Sequence, residues 1–156
     1  MKGKMAQKLS KIDQIIAKYQ ADKSALIQML LEIQRENRWL PKPAVVRLSQ
    51  RLGIPINQIY HIATFYKAFS LIPQGRHAVS VCLGTACHVR GAPRLLDRVT
   101  DTLCIGPGET SPDMKFTLST VNCLGCCALG PVMLIDGEYH GNPTPTEIKR
   151  VIASCD

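Results

Sequence analysis

Three cysteines stand within five positions of NCLGCCALG, at Cys123, Cys126 and Cys127, and two more, Cys82 and Cys87, are spaced C-x4-C in VCLGTACHV. Thiolates are soft metal ligands. Four of them, with no histidine in the loop cores, suit a [2Fe-2S] cluster or an all-cysteine zinc site. On spacing alone the set is Cys82, Cys87, Cys123 and either Cys126 or Cys127. Glycines at 84, 125 and 130 would let backbone N–H groups approach the sulfurs and offset the negative charge of a bound cluster.

Two plainer readings compete with a metal site. The thiols could be small buried side chains without a ligand, but two tight groups at loop positions argue against it. Cys123-x-x-Cys126 could instead be a redox dithiol. Such a pair follows a first strand at a helix start, where the helix dipole lowers a thiol pKa, whereas this one comes late and leaves Cys82 and Cys87 unexplained. The compartment points the same way. Seven cysteines cannot all pair, and the start MKGKMAQKLSKIDQIIAKYQ has lysines but no apolar secretory core. A reducing cytoplasm is expected, where thiols stay free, bind metal or do redox chemistry. No segment has the apolar length of a membrane span.

The charge of +7 is carried by one half of the chain: residues 1–75 hold 12 Lys and Arg against 4 Asp and Glu, and residues 76–156 hold 7 against 8. No aromatic-rich basic strand and no zinc-finger spacing accompanies it, which sets nucleic acid aside. The basic half is a solvated helical face or a surface for an acidic protein partner.

The 156 residues, 46% of them hydrophobic, are enough for one domain or a small domain with a helical extension. Leu9, Ile12, Ile16 and Tyr19 form one stripe at helical spacing, and Leu26, Met29, Leu30 and Ile33 another. A third helix is framed by Pro43 and Gly53 and buries Val45, Leu48 and Leu52. A fourth begins near Pro55, with Ile56, Ile59, Tyr60 and Ala63 inward, and SLIPQG breaks the pattern. That break divides a helical bundle, 1–75, from an α/β domain, 76–156. There HAVSVCL alternates as a strand, Pro93 opens a helix with Leu95, Leu96 and Val99, and KFTLSTV alternates Phe116, Leu118 and Thr120. VMLI and EYH flank Asp136-Gly137, a two-residue hairpin turn. Thr144, Pro145 and Glu147 form a capping box before Ile148, Val151 and Ile152. Strand, helix, strand, hairpin, helix predicts a four-stranded sheet of thioredoxin type, in an α+β chain overall. If its first two strands are parallel neighbours, both cysteine loops leave the sheet at one edge and four sulfurs can converge.

The segments RWLPKPAVVRLSQRLGIPINQIYHIATFY, GRHAVSVCLGTACHVRGAPRLLDRV and FTLSTVNCLGCCALGPVMLIDGEYHGNPTPTEI together resemble the 24 kDa (E) subunit family of NADH dehydrogenase, respiratory complex I. The resemblance runs from about residue 12 to the end, and extends to small subunits of NAD-linked and electron-bifurcating hydrogenases, transhydrogenases and soluble formate dehydrogenases. It implies a helical bundle followed by a thioredoxin-like ferredoxin domain whose C-x4-C and C-x3-C motifs bind one [2Fe-2S] cluster. Carried onto this chain, the motif selects Cys82, Cys87, Cys123 and Cys127. Cys126 stands where the family has a small residue, and is either a passive side chain or a spare, redox-sensitive thiol. Cys104 and Cys155 fit no motif and are read as packing and tail residues, while His88 is a solvent-facing loop residue or a donor that tunes the cluster. The chain has no GxGxxG after a strand and no P-loop. The resemblance therefore places FMN and NAD(H) on a partner flavoprotein, with further iron-sulfur subunits beside it, and gives this chain electron relay without catalytic residues of its own. CLGTACHVRGA leans toward hydrogenase-type or bifurcating complexes. The competing functions are an all-cysteine zinc module for assembly and a thioredoxin-like dithiol oxidoreductase.

Overall fold

The structure, a computed structural model, describes residues 2–155, with side chains from residue 10 onward. The chain divides into two compact units, Met1–Pro73 and Gln74–Asp156. The first holds α1 (Lys2–Lys18), α2 (Leu26–Asn37), α3 (Lys42–Leu52) and α4 (Ile56–Phe65), with a 3-10 turn over Lys23–Ala25 whose N-cap Asp22 accepts from the Ser24 N–H. Amphipathic helices of this length are held by burying their stripes against one another. Ile12 and Ile16, Met29, Leu30 and Ile33, Val45 and Leu48, and Ile59 and Ala63 make one core. Ile15 joins it, so the α1 stripe is wider than its spacing predicted. Tyr19 lies one residue past α1 and packs partly buried against that core, while the Leu9 side chain lies outside the described residues. Pro43 sits in the first turn of α3, and Gly53 ends it in the left-handed conformation.

Asp13 of α1 pairs with two arginines of α3, Arg47 at 2.9 Å and, more loosely, Arg51 at 3.6 Å. Arg47 donates to Asp13 through Nε at 3.0 Å and Nη2 at 2.9 Å, a bidentate geometry.

The second unit runs β1 (His77–Cys82), α5 (Thr85–Val89), α6 (Ala92–Leu103), β2 (Phe116–Val121), β3 (Val132–Ile135), β4 (Glu138–Gly141) and α7 (Pro145–Ser154). The strands form one sheet in the order β2-β1-β3-β4, with β1 and β2 parallel and the other neighbours antiparallel. Leu118, Val79 and Ile135 lie level across the sheet, and with Val81, Phe116 and Met133 they meet Leu95 and Val99 of α6 and Ile148 and Ile152 of α7. The opposite face carries hydroxyls, Ser80 bonded to Ser119 at 2.7 Å and Thr117 to Thr110 at 2.8 Å. Asp136 and Gly137 both have positive φ, as the tight hairpin turn requires. The Thr144–Glu147 capping box is formed at both of its bonds.

Two expectations change. A short helix, α5, stands where a loop was expected, so Cys87 is a helical residue. Thr120 is exposed although the β2 alternation turns it inward, because β2 is an edge strand and the apolar cluster reaches only Phe116 and Leu118. Among the described residues, no helix is long and apolar enough to cross a membrane.

The Arg47 hydrogen bonds, opposed by some desolvation and aided by the charges of Arg47 and Arg51, hold the Asp13 carboxyl below its ordinary value. A carboxyl depressed in the folded state stabilises above its unfolded pKa of about 3.9, and loses that contribution as pH falls through the folded value. Asp13→Asn should therefore lower the urea midpoint at pH 7, and the gap to the parent chain should close as pH falls below about 4. A gap independent of pH would mean that the ion pair contributes nothing to the bundle.

Candidate metal centre

Parallel strands discharge their chains at the same edge. Cys82, the last residue of β1, is level with Val121, the last of β2, and the ladder runs one residue further where the Leu83 N–H donates to the Val121 carbonyl at 2.8 Å. The two chains then touch. A Cβ on Gly84 would stand 2.5 Å from the Asn122 carbonyl oxygen and 3.5 Å from the Cys123 Cα, so this crossing admits only glycine. Gly84 is the N-cap of α5, which carries Cys87, and Cys127 opens a 3-10 turn, Cys127–Leu129. A second close approach follows at Gly130, where a Cβ would lie 3.1 Å from Cys87 Sγ and 3.3 Å from the Cys127 carbonyl oxygen.

The sulfurs differ in burial. Cys82 and Cys87, 2% and 3% exposed, form an apolar group with Ala92 and Val132, against which Leu124 and Cys126 pack half-buried. Cys123 and Cys127 are exposed. Backbone N–H groups are aimed at three of these four sulfurs: those of Gly84 and Leu124 at Cys82, that of Val132 at Cys87, and that of Gly125 at Cys123 at 3.3 Å. Burial pushes the Cys82 thiol up, but the Gly84 and Leu124 donors and the Cys87 thiol outweigh it and hold Cys82 below the usual thiol value. Cys87 is raised, first by burial and then by donating its proton to Cys82, with the charge of Cys127 adding to the effect and the Val132 N–H opposing it.

Among the described residues, no three His, Cys, Asp or Glu side chains are gathered closely enough to hold one metal ion. A [2Fe-2S] cluster takes four thiolates over two irons, and Cys82, Cys87, Cys123 and Cys127 are free thiols, three of which face backbone N–H donors.

His88 is exposed on α5. Cys104 is exposed at the end of α6, with Sγ 3.5 Å from the Asp101 carbonyl oxygen, and half-buried Cys155 donates to Val151 at 3.3 Å. Neither joins the apolar group at the sheet edge. Sequence reasoning missed Arg90, whose Nη1 donates to the carbonyls of Cys127 at 2.6 Å and Ala128 at 3.4 Å. Its only signal was its place three residues after Cys87.

The thioredoxin-like [2Fe-2S] ferredoxin family model matches residues 12–156. The E 2 subunit of the NADH-quinone oxidoreductase of Rhizobium meliloti (strain 1021) is 38% identical over 143 residues, 92% of this chain and 85% of that protein. The HndA subunit of the NADP-reducing hydrogenase of Solidesulfovibrio fructosivorans is 33% identical over 128 residues, 82% of this chain and 75% of that one. An air-oxidized NAD+-reducing [NiFe]-hydrogenase crystal structure shares the fold with a TM-score of 0.70 at 22% identity, covering 84% of this chain and 22% of its own.

Because a side chain at residue 84 must displace the Asn122 carbonyl, Gly84→Ala should cost about 1–3 kcal/mol by overpacking and part the two cysteine segments. Urea unfolding and the iron-to-protein ratio after anaerobic purification measure both effects. Unchanged stability with full iron would show that the two segments are free to separate.

Proposed function

The chain belongs to the thioredoxin-like [2Fe-2S] ferredoxin family, and from that premise we propose that it is the electron-transfer subunit of an NAD-linked oxidoreductase complex, holding its cluster through Cys82, Cys87, Cys123 and Cys127. The observation that carries this reading is the parallel pairing of β1 with β2, which brings both cysteine segments to one edge of the sheet. When bound, the cluster supplies a site for a single electron, which a flavin needs in order to divide the electron pair of a nicotinamide hydride. The chain's own residues do the holding. Ala92 and Val132 keep water from Cys82 and Cys87, and the N–H groups of Gly84, Leu124, Gly125 and Val132 offset thiolate charge. No side chain is assigned acid–base work.

The flavin and the nicotinamide site belong to a partner flavoprotein in this reading, beside further iron-sulfur subunits. The relatives named above come from an NADH-quinone oxidoreductase and an NADP-reducing hydrogenase, and complexes of these kinds are the assemblies proposed. A cytoplasmic location suits free thiols. The purified chain should contain iron and acid-labile sulfide in equal amounts, and dithionite should give the EPR signal of a spin-one-half centre. Cys127→Ser should weaken or remove the cluster, since oxygen is a harder ligand than sulfur, and Cys126→Ala should keep it. Stoichiometric zinc without iron would overturn the cluster, and the reverse pattern in the two variants would move the fourth ligand to Cys126.

The helical half, residues 1–75, is proposed as the docking domain and residues 76–156 as the cluster domain. With 12 cationic against 4 anionic side chains, the bundle suits an acidic face of the flavoprotein. A chain beginning at Gln74 should keep its visible absorption and lose stable association in a pull-down, and added salt should slow association of the full chain in stopped flow. Full affinity without the bundle, or a salt-independent rate, would remove its docking role.

A further inference from the structure

Arg90 stands where α5 ends. Its backbone N–H bonds to the Ala86 carbonyl at 3.3 Å, while its side chain reaches the 3-10 turn that begins at Cys127. There Nη1 donates to the Cys127 carbonyl at 2.6 Å and, more weakly, to that of Ala128 at 3.4 Å. Its Cδ lies 3.7 Å from the place a Cβ would take on Gly130, so the aliphatic stem also lies along the chain that follows the turn. One side chain therefore joins the helix carrying Cys87 to the backbone carrying Cys127. The bond is directional, and its shorter arm is a charge-assisted hydrogen bond.

The guanidinium has a second property. It carries a positive charge on a planar fork of donors, and among the described residues no carboxylate pairs with it. A fixed, uncompensated cation beside a redox centre favours the form with one more electron, by Coulomb attraction reduced by solvent because Arg90 is exposed.

We propose that Arg90 is a positioning residue of the metal centre: it clasps the Cys127 turn to the Cys87 helix and raises the reduction potential of the centre through its charge. This rests on the four-thiolate cluster reading above. The two roles separate by substitution, because Arg90→Gln removes the charge and keeps an N–H donor, Arg90→Lys keeps the charge on a single ammonium, and Arg90→Ala removes both.

The full-length chain and the three variants would be purified anaerobically. Midpoint potentials would be read by EPR-monitored titration, and cluster retention from the decay of visible absorption under an iron chelator. Arg90→Gln should lower the reduced-to-oxidised ratio at fixed potential by about threefold to tenfold, tenfold being 59 mV for a one-electron couple. Arg90→Lys should restore a potential near that of the parent chain, which a purely structural role would not require. Arg90→Ala should lose its cluster several-fold faster than the parent. If Arg90→Ala fails to load iron, the Gln and Lys variants still decide the charge. Equal potentials in parent, Gln and Lys forms would overturn the tuning, and equal decay rates in parent and Ala forms would overturn the clasp. A parent chain without iron would instead bring down the cluster reading itself.

Discussion

The parallel pairing of β1 with β2 is the constraint from which the site follows. Parallel strands cannot be joined by a tight turn, so a long crossover must leave the sheet and return. Here the crossover supplies α5 and α6: α6 buries Leu95 and Val99 on the sheet, and α5 presents Cys87 beside Cys82. The segment leaving β2 at the same edge carries Cys123, Cys126 and Cys127. Register matters as much as direction, since a slip of one residue would turn the inward side chains outward. The level row of Leu118, Val79 and Ile135 fixes it from the core side, and the Ser80–Ser119 bond fixes it from the other.

Burial and backbone dipoles then act against each other at the sulfurs. Excluding water disfavours a thiolate, yet ligation requires one. At Cys82 the donors of Gly84 and Leu124 outweigh burial, whereas at Cys87 burial and the neighbouring sulfur prevail. The same glycines that allow the two segments to approach leave the backbone room to supply these donors. A site of this kind depends less on charged side chains than on how closely two stretches of main chain can be laid together.

Much of the architecture was legible because its signals are local. Pro43 and Gly53 bracket α3, the Thr144–Glu147 box starts α7, and Asp136-Gly137 turns the hairpin, each through chemistry confined to a few residues. The C-x4-C spacing and the cysteine-rich segment likewise mark the two segments that β1 and β2 bring to one edge, without any knowledge of the fold. What stayed hidden depends on tertiary placement. The five residues of α5 have no side-chain cap and too short a run to show a period. The different burial of the thiols is set by Val132 and Ala92, which reach the sulfurs only after folding. Arg90 finds its acceptor 37 residues away, beyond any local pattern. Spacing alone left Cys126 and Cys127 equivalent, and their unequal exposure appears only once Cys126 packs beside the buried pair.

That unequal exposure gives the apoprotein a weak flank and a sheltered one. Oxidants in solution meet Cys123 and Cys127 directly, while Cys82 and Cys87 lie behind Ala92 and Val132. Sulfenic acid, mixed disulfides with small thiols and irreversible overoxidation therefore accumulate on the segment after β2 before they reach the end of β1. A chain damaged in this way keeps the thiols of Cys82 and Cys87 intact, and whether it can be rescued by a reductant is decided by how far oxidation has gone on a single loop.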